Sequence, residues 1–546
     1  MHRIARGVAV AVVTIAAVVG VQPAFAGTAS CSGDATSTLA TRSGLPPSAI
    51  AKHGGTNAGA VNQLIAAVCD DTHSAPTAAA AALQAANYTP PEIGDVLVGG
   101  FDQTVLESAG IFAYLGFDAS EIASMLLGSY AQTPLEGAQI LKSLGFGAVD
   151  VGVALKDVFG QTAFQAAGIL KQAVYTAVDV GEALREAFLQ GAQDAAQILK
   201  DVAFGAVDVG LALKDAFLQN AQQAAQILKT IAFGVVDVGR ALKDAFLQGA
   251  QDAAQILKTI AYTALDVGMA LRDAFLQSAE QAAQVLKTVA FTVVQVAGAL
   301  KDAFLQSAQQ AAQILKTVAY GVVDVANALK DAFLQTAQDA AAILKAILFS
   351  PLDVGTALRD AFLRSAEQAA AIMKAVLFAA ADVAVALKDA FLKGAQAAAQ
   401  ILKDVAYGVV QVADALKAAF IQSAQQAAQI LKNIAYGVVE VANALKDAFF
   451  QAAQDAAAVL KAIGYAVNEV AQALQTAFSM LADEVGNVLK AIGYALEDVA
   501  KALGAVFGLV EDGLKSVLVG IGFDPDDVDD ILDTIACLVF PPSCFF

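Results

Sequence analysis

Residues 307–336 read SAQQAAQILKTVAYGVVDVANALKDAFLQT, and this stretch recurs through most of the chain at a fixed spacing of 29 residues. Stepping by 29 from Tyr320 lands on sixteen positions from Tyr88 to Phe523, and every one is aromatic. The column of Leu329 runs from Leu97 to Leu532 and is Leu sixteen times. The column of Phe333 is aromatic from Phe101 to Phe507 and fails only at Ala536, while that of Ala326 is Gly or Ala from Gly94 until Asp529. No insertion breaks the register. A fixed period in this range is the mark of a repeat array in which each unit stacks on its neighbours.

Start signals divide each repeat into two helices. Thr89-Pro90-Pro91-Glu92 is a capping box with proline at the first helical position, and Ser350-Pro351-Leu352-Asp353 and Asp524-Pro525-Asp526-Asp527 repeat it at equivalent columns. The cap column holds Thr, Ser, Asp or Gly in thirteen of sixteen repeats, and three residues later all sixteen carry Asp, Glu or Gln. A carboxylate or amide there meets the unpaired amides at the positive end of the helix. A second set of starts lies fifteen residues on, at Thr104, Thr133 and Ser307. The expectation is two helices of about 12 residues per repeat. Repeats with Ala at the cap, such as Ala379, are expected to be able to run on as one bent helix.

Both helices are amphipathic. The first is expected to bury Val325, Leu329, Ala332 and Phe333 and to expose Asp324, Asn327, Lys330 and Asp331. The second is expected to bury Ala311, Leu315, Val318 and Ala319 and to expose Gln309, Gln313, Lys316 and Thr317. A single hairpin cannot cover its own apolar stripe, so the fold class is all-α, an αα-hairpin solenoid of about sixteen repeats.

The ends differ from the array. Residues 1–26 read as a secretory signal peptide: His2, Arg3 and Arg6 precede an apolar core from Val8 to Val21, and Ala24-Phe25-Ala26 forms the cleavage site. Residues 27–80 form an N-terminal cap region, 81–533 the repeat solenoid and 534–546 a C-terminal capping tail. The four cysteines, Cys31, Cys69, Cys537 and Cys544, lie in pairs at the two ends. In an exported chain this suggests disulfides Cys31–Cys69 and Cys537–Cys544 that brace the ends.

Composition narrows the function. The net charge is −19 and the pI is near 4.5, with no basic face of the kind nucleic acid requires. No segment after the signal peptide is long and uncharged enough for a transmembrane span. The repeats contain neither histidine nor cysteine, and no phosphate-binding glycine loop occurs. Asp324 and its equivalents sit at the third helical position, where capping explains them. No catalytic residue, metal ligand or cofactor site is therefore expected, and the chain is read as not an enzyme. The lysines of the Lys330 type are expected on a solvated face, and the aromatic columns in the core.

One column varies where its neighbours are nearly constant. Its members include Glu182, Leu211, Arg240, Met269, Asn327, Thr356, Asp414 and Asn443. On the exposed side of the first helix they would form a stripe in which each repeat presents one side chain to an extended partner; the alternative is a position that packs against nothing and drifts.

In architecture the chain resembles the αα-hairpin solenoids as a class, the group of tetratricopeptide, pentatricopeptide and HEAT repeats, over roughly residues 81–533. The tetratricopeptide pattern itself is absent, and the chain has no Trp at all. What the resemblance implies is a scaffold with an extended surface for protein or peptide partners; it assigns no site residues. The expected function is a secreted, bacterial-type repeat scaffold, structural or protein-binding, whose partner is an extracellular protein or glycan or a second copy. Two alternatives stand beside it. The mean hydropathy of +0.59 would suit an amphipathic lipid- or surface-binding protein whose Leu and Phe columns face lipid, and the apolar tail would suit an extracellular fibre component.

Overall fold

The computed structural model describes residues 75–85 and 87–539. Among the described residues the protein is all-helical, with thirty-two α-helices from Ala75–Ala85 to Pro525–Val539. The chain divides into two compact units, residues 1–203 and 204–546. Each unit is an α-solenoid: every first helix packs on the next first helix, every second helix on the next second helix, and both on each other.

In the first unit the first helices are Pro90–Phe101, Ala119–Tyr130, Ala148–Asp157 and Ala177–Glu186. The second helices are Val105–Tyr114, Pro134–Ser143, Ala163–Gln172 and Ala192–Asp201. The helix Ala75–Ala85 lies one period before Val105–Tyr114, so it occupies a second-helix position and spans the expected boundary at residue 80. Ser108 is fully buried and its hydroxyl lies 2.6 Å from that of Tyr130, which also donates to the Gln103 carbonyl at 2.8 Å. In the second unit the pattern is most regular around Ala308–Thr317, Val322–Asp331 and Ala337–Ala346. Most helices are ten residues long, shorter than expected, because a residue in the left-handed backbone region ends the structured turn after each one.

The caps work as the sequence implies. The Thr104 hydroxyl accepts from the Glu107 N–H at 3.4 Å, while the Glu107 carboxylate accepts from the Thr104 N–H at 2.9 Å. The expectation of a run-on helix at Ala379 is corrected. Ala379 is extended, with φ −68° and ψ 158°, and a new helix starts at Ala380. The left-handed Leu377 before it breaks the chain direction, and the Asp382 carboxylate takes the Ala379 N–H at 3.3 Å even though no hydroxyl cap is present.

The core follows the repeat columns. Val325, Ala326, Ala328 and Leu329 are at most 1% exposed, and burying one such leucine contributes roughly 2 kcal/mol before entropy is counted. First helices approach closely through the Gly/Ala column: a Cβ built on Gly239 would lie 3.1 Å from the Ala270 Cβ of the next first helix. At Gly355 the same construction falls 2.6 Å from the Ala386 Cβ. Ala386 opens a one-turn π-helical segment, Ala386–Ala390, within its first helix.

Several burial expectations need correction. Ala319 is exposed, not buried, because it is the left-handed residue of the turn, with φ 61°. Ala332 and Phe333 are half-buried, since the helix has ended at Asp331 and the link carries them to the rim.

Candidate binding surface

The lysines are not simply solvated, as the Lys330 and Lys316 types were expected to be. Within each unit, the second-helix lysines of the Lys316 column reach the end of the next second helix. Lys287 Nζ donates to the carbonyls of Val318 at 2.6 Å and Ala319 at 2.9 Å, and sits 4.6 Å from the centroid of the Tyr320 ring. Lys316 does the same with Ile347, Leu348 and Phe349, and Lys432 with Ile463, Gly464 and Tyr465. In the first unit, Lys142 donates to the Ala173 carbonyl at 2.8 Å and lies over the Tyr175 ring.

The first-helix lysines form a second ladder: Lys330 Nζ donates to the Ala361 carbonyl at 2.8 Å, and Lys417 to Ala448 at 2.9 Å. A cation at a helix C-terminus gains about 0.3–1 kcal/mol, and one over an aromatic ring about 0.5–1 kcal/mol at an accessible site. The aromatic column is therefore partly core and partly the floor of an inter-repeat latch. The signal was present in the sequence as a constant spacing of 33 residues between lysine and ring, which a reading of single repeats does not reveal.

The Tyr rings in this column are buried or half-buried, and the hydroxyls of some of them reach back one repeat. Tyr175 Oη donates to the Phe146 carbonyl at 2.7 Å, and Tyr407 Oη to that of Phe378 at 2.7 Å. Burial, reinforced by nearby carboxylates such as Asp179 and Asp382, pushes both phenols up to about 12.

With the lysines engaged, the outward face of the second helices is dominated by glutamine. An open groove of about 560 Å³ is lined by Gln309, Gln310, Gln313 and Ile314, together with Ile347 of the next repeat. Equivalent grooves recur three repeats earlier around Gln222, Gln226 and Ile227 and four repeats later around Gln425, Gln429 and Ile430. Gln310 is spent on the cap, accepting from the Ser307 N–H at 3.0 Å. Gln309 and Gln313 are exposed.

The varying column is less accessible than expected. Asn327, Glu182, Leu211, Met269, Thr356 and Asn443 are half-buried, while Arg240 and Asp414 are exposed. Asn327 Oδ1 lies 3.4 Å from Lys330 Nζ, Arg240 pairs with Asp237 at 2.9 Å, and the Thr356 hydroxyl donates to the Leu352 carbonyl at 2.8 Å. Several members are thus engaged with their own helix.

The carboxylates that could resemble a catalytic ladder are engaged in caps. Asp179 accepts from the Thr176 N–H at 2.9 Å, and Asp353 from the Ser350 N–H at 3.1 Å. The Thr104 backbone and side-chain hydrogen bonds hold the Glu107 carboxyl below its ordinary range. Among the described residues no group of three His, Cys, Asp or Glu side chains could hold a metal ion, and no helix is long and apolar enough to cross a membrane. Cys31, Cys69 and Cys544, and the signal-peptide segment, lie outside the described residues. Cys537 lies in the backbone of the last helix, Pro525–Val539.

No protein-family model matches the chain, and no curated protein matches its sequence.

Proposed function

We propose that the chain is a secreted, non-enzymatic repeat scaffold that offers an extended surface to a protein partner outside the cell. The observation that carries this reading is the glutamine-lined groove that recurs in register along the second helices of the second unit. A glutamine amide both donates and accepts, so a column of them with an Ile beside it suits the backbone of an extended polypeptide. Such a partner needs neither opposite charge nor a deep pocket. The internal burial of the Val325 and Leu329 columns favours this scaffold over a chain whose core columns face lipid.

The test is binding of unstructured polypeptides and soluble glycans to the parent chain and to a variant carrying Gln→Ala at Gln309, Gln313 and their equivalents at 222, 226, 425 and 429. The expected result is polypeptide binding that falls about tenfold or more in the variant, as removal of several hydrogen bonds would cause, with an unchanged melt. Equal binding by parent and variant would contradict it. Exchanging Leu211 and Arg240 in the same assay separates the stripe from the groove: affinity moves only where the varying column touches the partner.

A further inference from the structure

Each repeat contains two links, and both need one residue in the left-handed region. In the second unit the link after each second helix meets that need mostly with small residues: Ala232, Ala261, Ala290, Ala319, Ala406 and Ala435, then glycine from Gly464 onward, the exceptions being Leu348 and Leu377. The link after each first helix does not. From Leu218 to Phe450, at every 29-residue step, it holds Leu, Ile or Phe with φ between 52° and 56°. All nine side chains are between 78% and 83% exposed.

This is costly twice over. A side chain with a Cβ strains the left-handed region, which is why glycine is usual there, and a β-branched residue such as Ile421 is the worst choice. Exposing a large apolar side chain adds little to the fold, although the Phe450 ring has the Lys417 ammonium 5.1 Å from its centroid. The backbone does not demand it, because Gly508 and Ser479 take the same conformation later in the unit and alanine serves in the other link. Where the residue changes, at Ile421 and Phe450, apolar bulk is retained.

We infer that this row, on the edge of the second unit where first helices end and second helices begin, docks the folded protein onto an uncharged lipid interface. Charge selects that occupant. The protein carries −19, and lysines of both helices are directed to backbone carbonyls, so an anionic surface is not favoured. The residues beside each tip are uncharged, as in Phe333, Gln335 and Thr336, apart from Arg364 and Lys393. Spacing selects against a second copy. Tips about 9–10 Å apart, as packed helices would place them, and separated by polar links are points instead of a continuous patch. A stable protein interface needs roughly 800 Å² per partner, closely packed, whereas a fluid apolar phase needs no matching shape. The grooves reach the base of the row, where Gln219, Gln306 and Gln422 line them beside the tips; the residues substituted in the two tests are different, so each reading can fail without the other.

The experiment is flotation of the full chain with phosphatidylcholine vesicles at low and high salt. It is run beside a variant with glycine at all nine positions, Leu218→Gly to Phe450→Gly, and a control with Leu348→Gly and Leu377→Gly. Glycine suits the left-handed region, so the nine-site variant is expected to melt no lower than the parent; an asparagine series at the same sites serves if it does not. The expected result is salt-insensitive binding by parent and control, reduced about tenfold or more in the nine-site variant. Three results would each overturn the inference: vesicle binding unchanged by the nine substitutions, no binding by the parent, or lipid-free self-association of the parent that the nine substitutions abolish.

Discussion

At the scale of the residue, the lysine–aromatic latch gives the fold a pH limit. Tyr175, Tyr407 and Tyr465 are pushed up to about 12, chiefly by burial and then by the carboxylates of Asp179, Asp382 and Glu469. In the unfolded chain a tyrosine releases its proton near pH 10. The folded state therefore holds protons that the unfolded state has lost, and stability falls as pH rises between about 10 and 12. It is fully present below that window. The check is a tyrosinate absorbance titration followed alongside helical circular dichroism. A subset of the ten tyrosines is expected to ionise near 12, together with loss of helix. Ionisation of all of them near 10 with helix intact would contradict the latch. The hydroxyls contribute unevenly: those of Tyr320, Tyr436 and Tyr494 are buried without a partner among the described residues, and phenylalanine serves at Phe291 and Phe349.

At the scale of the element, close approach of first helices is the constraint that sequence patterning conveys least. The Gly/Ala column was legible as a column of small residues, yet its members are not equivalent. Gly239→Ala removes a helix-interior glycine at the cost of a 3.1 Å Cβ contact, and Ala already fills the column at Ala297 and Ala326; the variant is expected within about 0.5 kcal/mol of the parent. Gly355→Ala drives a Cβ to 2.6 Å from Ala386, where the next helix already departs into a π turn, and is expected to cost about 1–3 kcal/mol. Denaturant melts of the two variants decide this; equal stabilities would show that the column yields uniformly. The two-helix repeat, its caps and the buried Leu329 column could be read from residue periodicity because they are local. The exposure of Ala319 and Leu334 could not, since a helical pattern places them beside Val318 and Phe333 on the apolar face, and only the left-handed turn sends them outward. The role of Lys287 was hidden for a different reason: its partners are one full repeat away.

At the scale of the whole molecule, each unit is held by nearest-neighbour terms repeated many times: buried Val and Leu columns, lysines tied to the next repeat, and side-chain caps on many of the helices. This makes the apolar content of the chain an internal property, with the exposed leucine row as its main exception. The glutamine grooves were present in the sequence as exposed Gln309 and Gln313, but their arrangement into recurring grooves depends on how Ile347 of the following repeat approaches them. The most direct measurement of the central claim is circular dichroism of the full chain in lipid-free buffer, with a thermal melt and sedimentation at several protein concentrations. The expected result is a strongly helical, monodisperse protein with a cooperative melt. A chain that is poorly folded alone and becomes helical only when lipid or detergent is added would contradict it, because the Leu329 and Val325 columns would then be facing that added phase instead of one another.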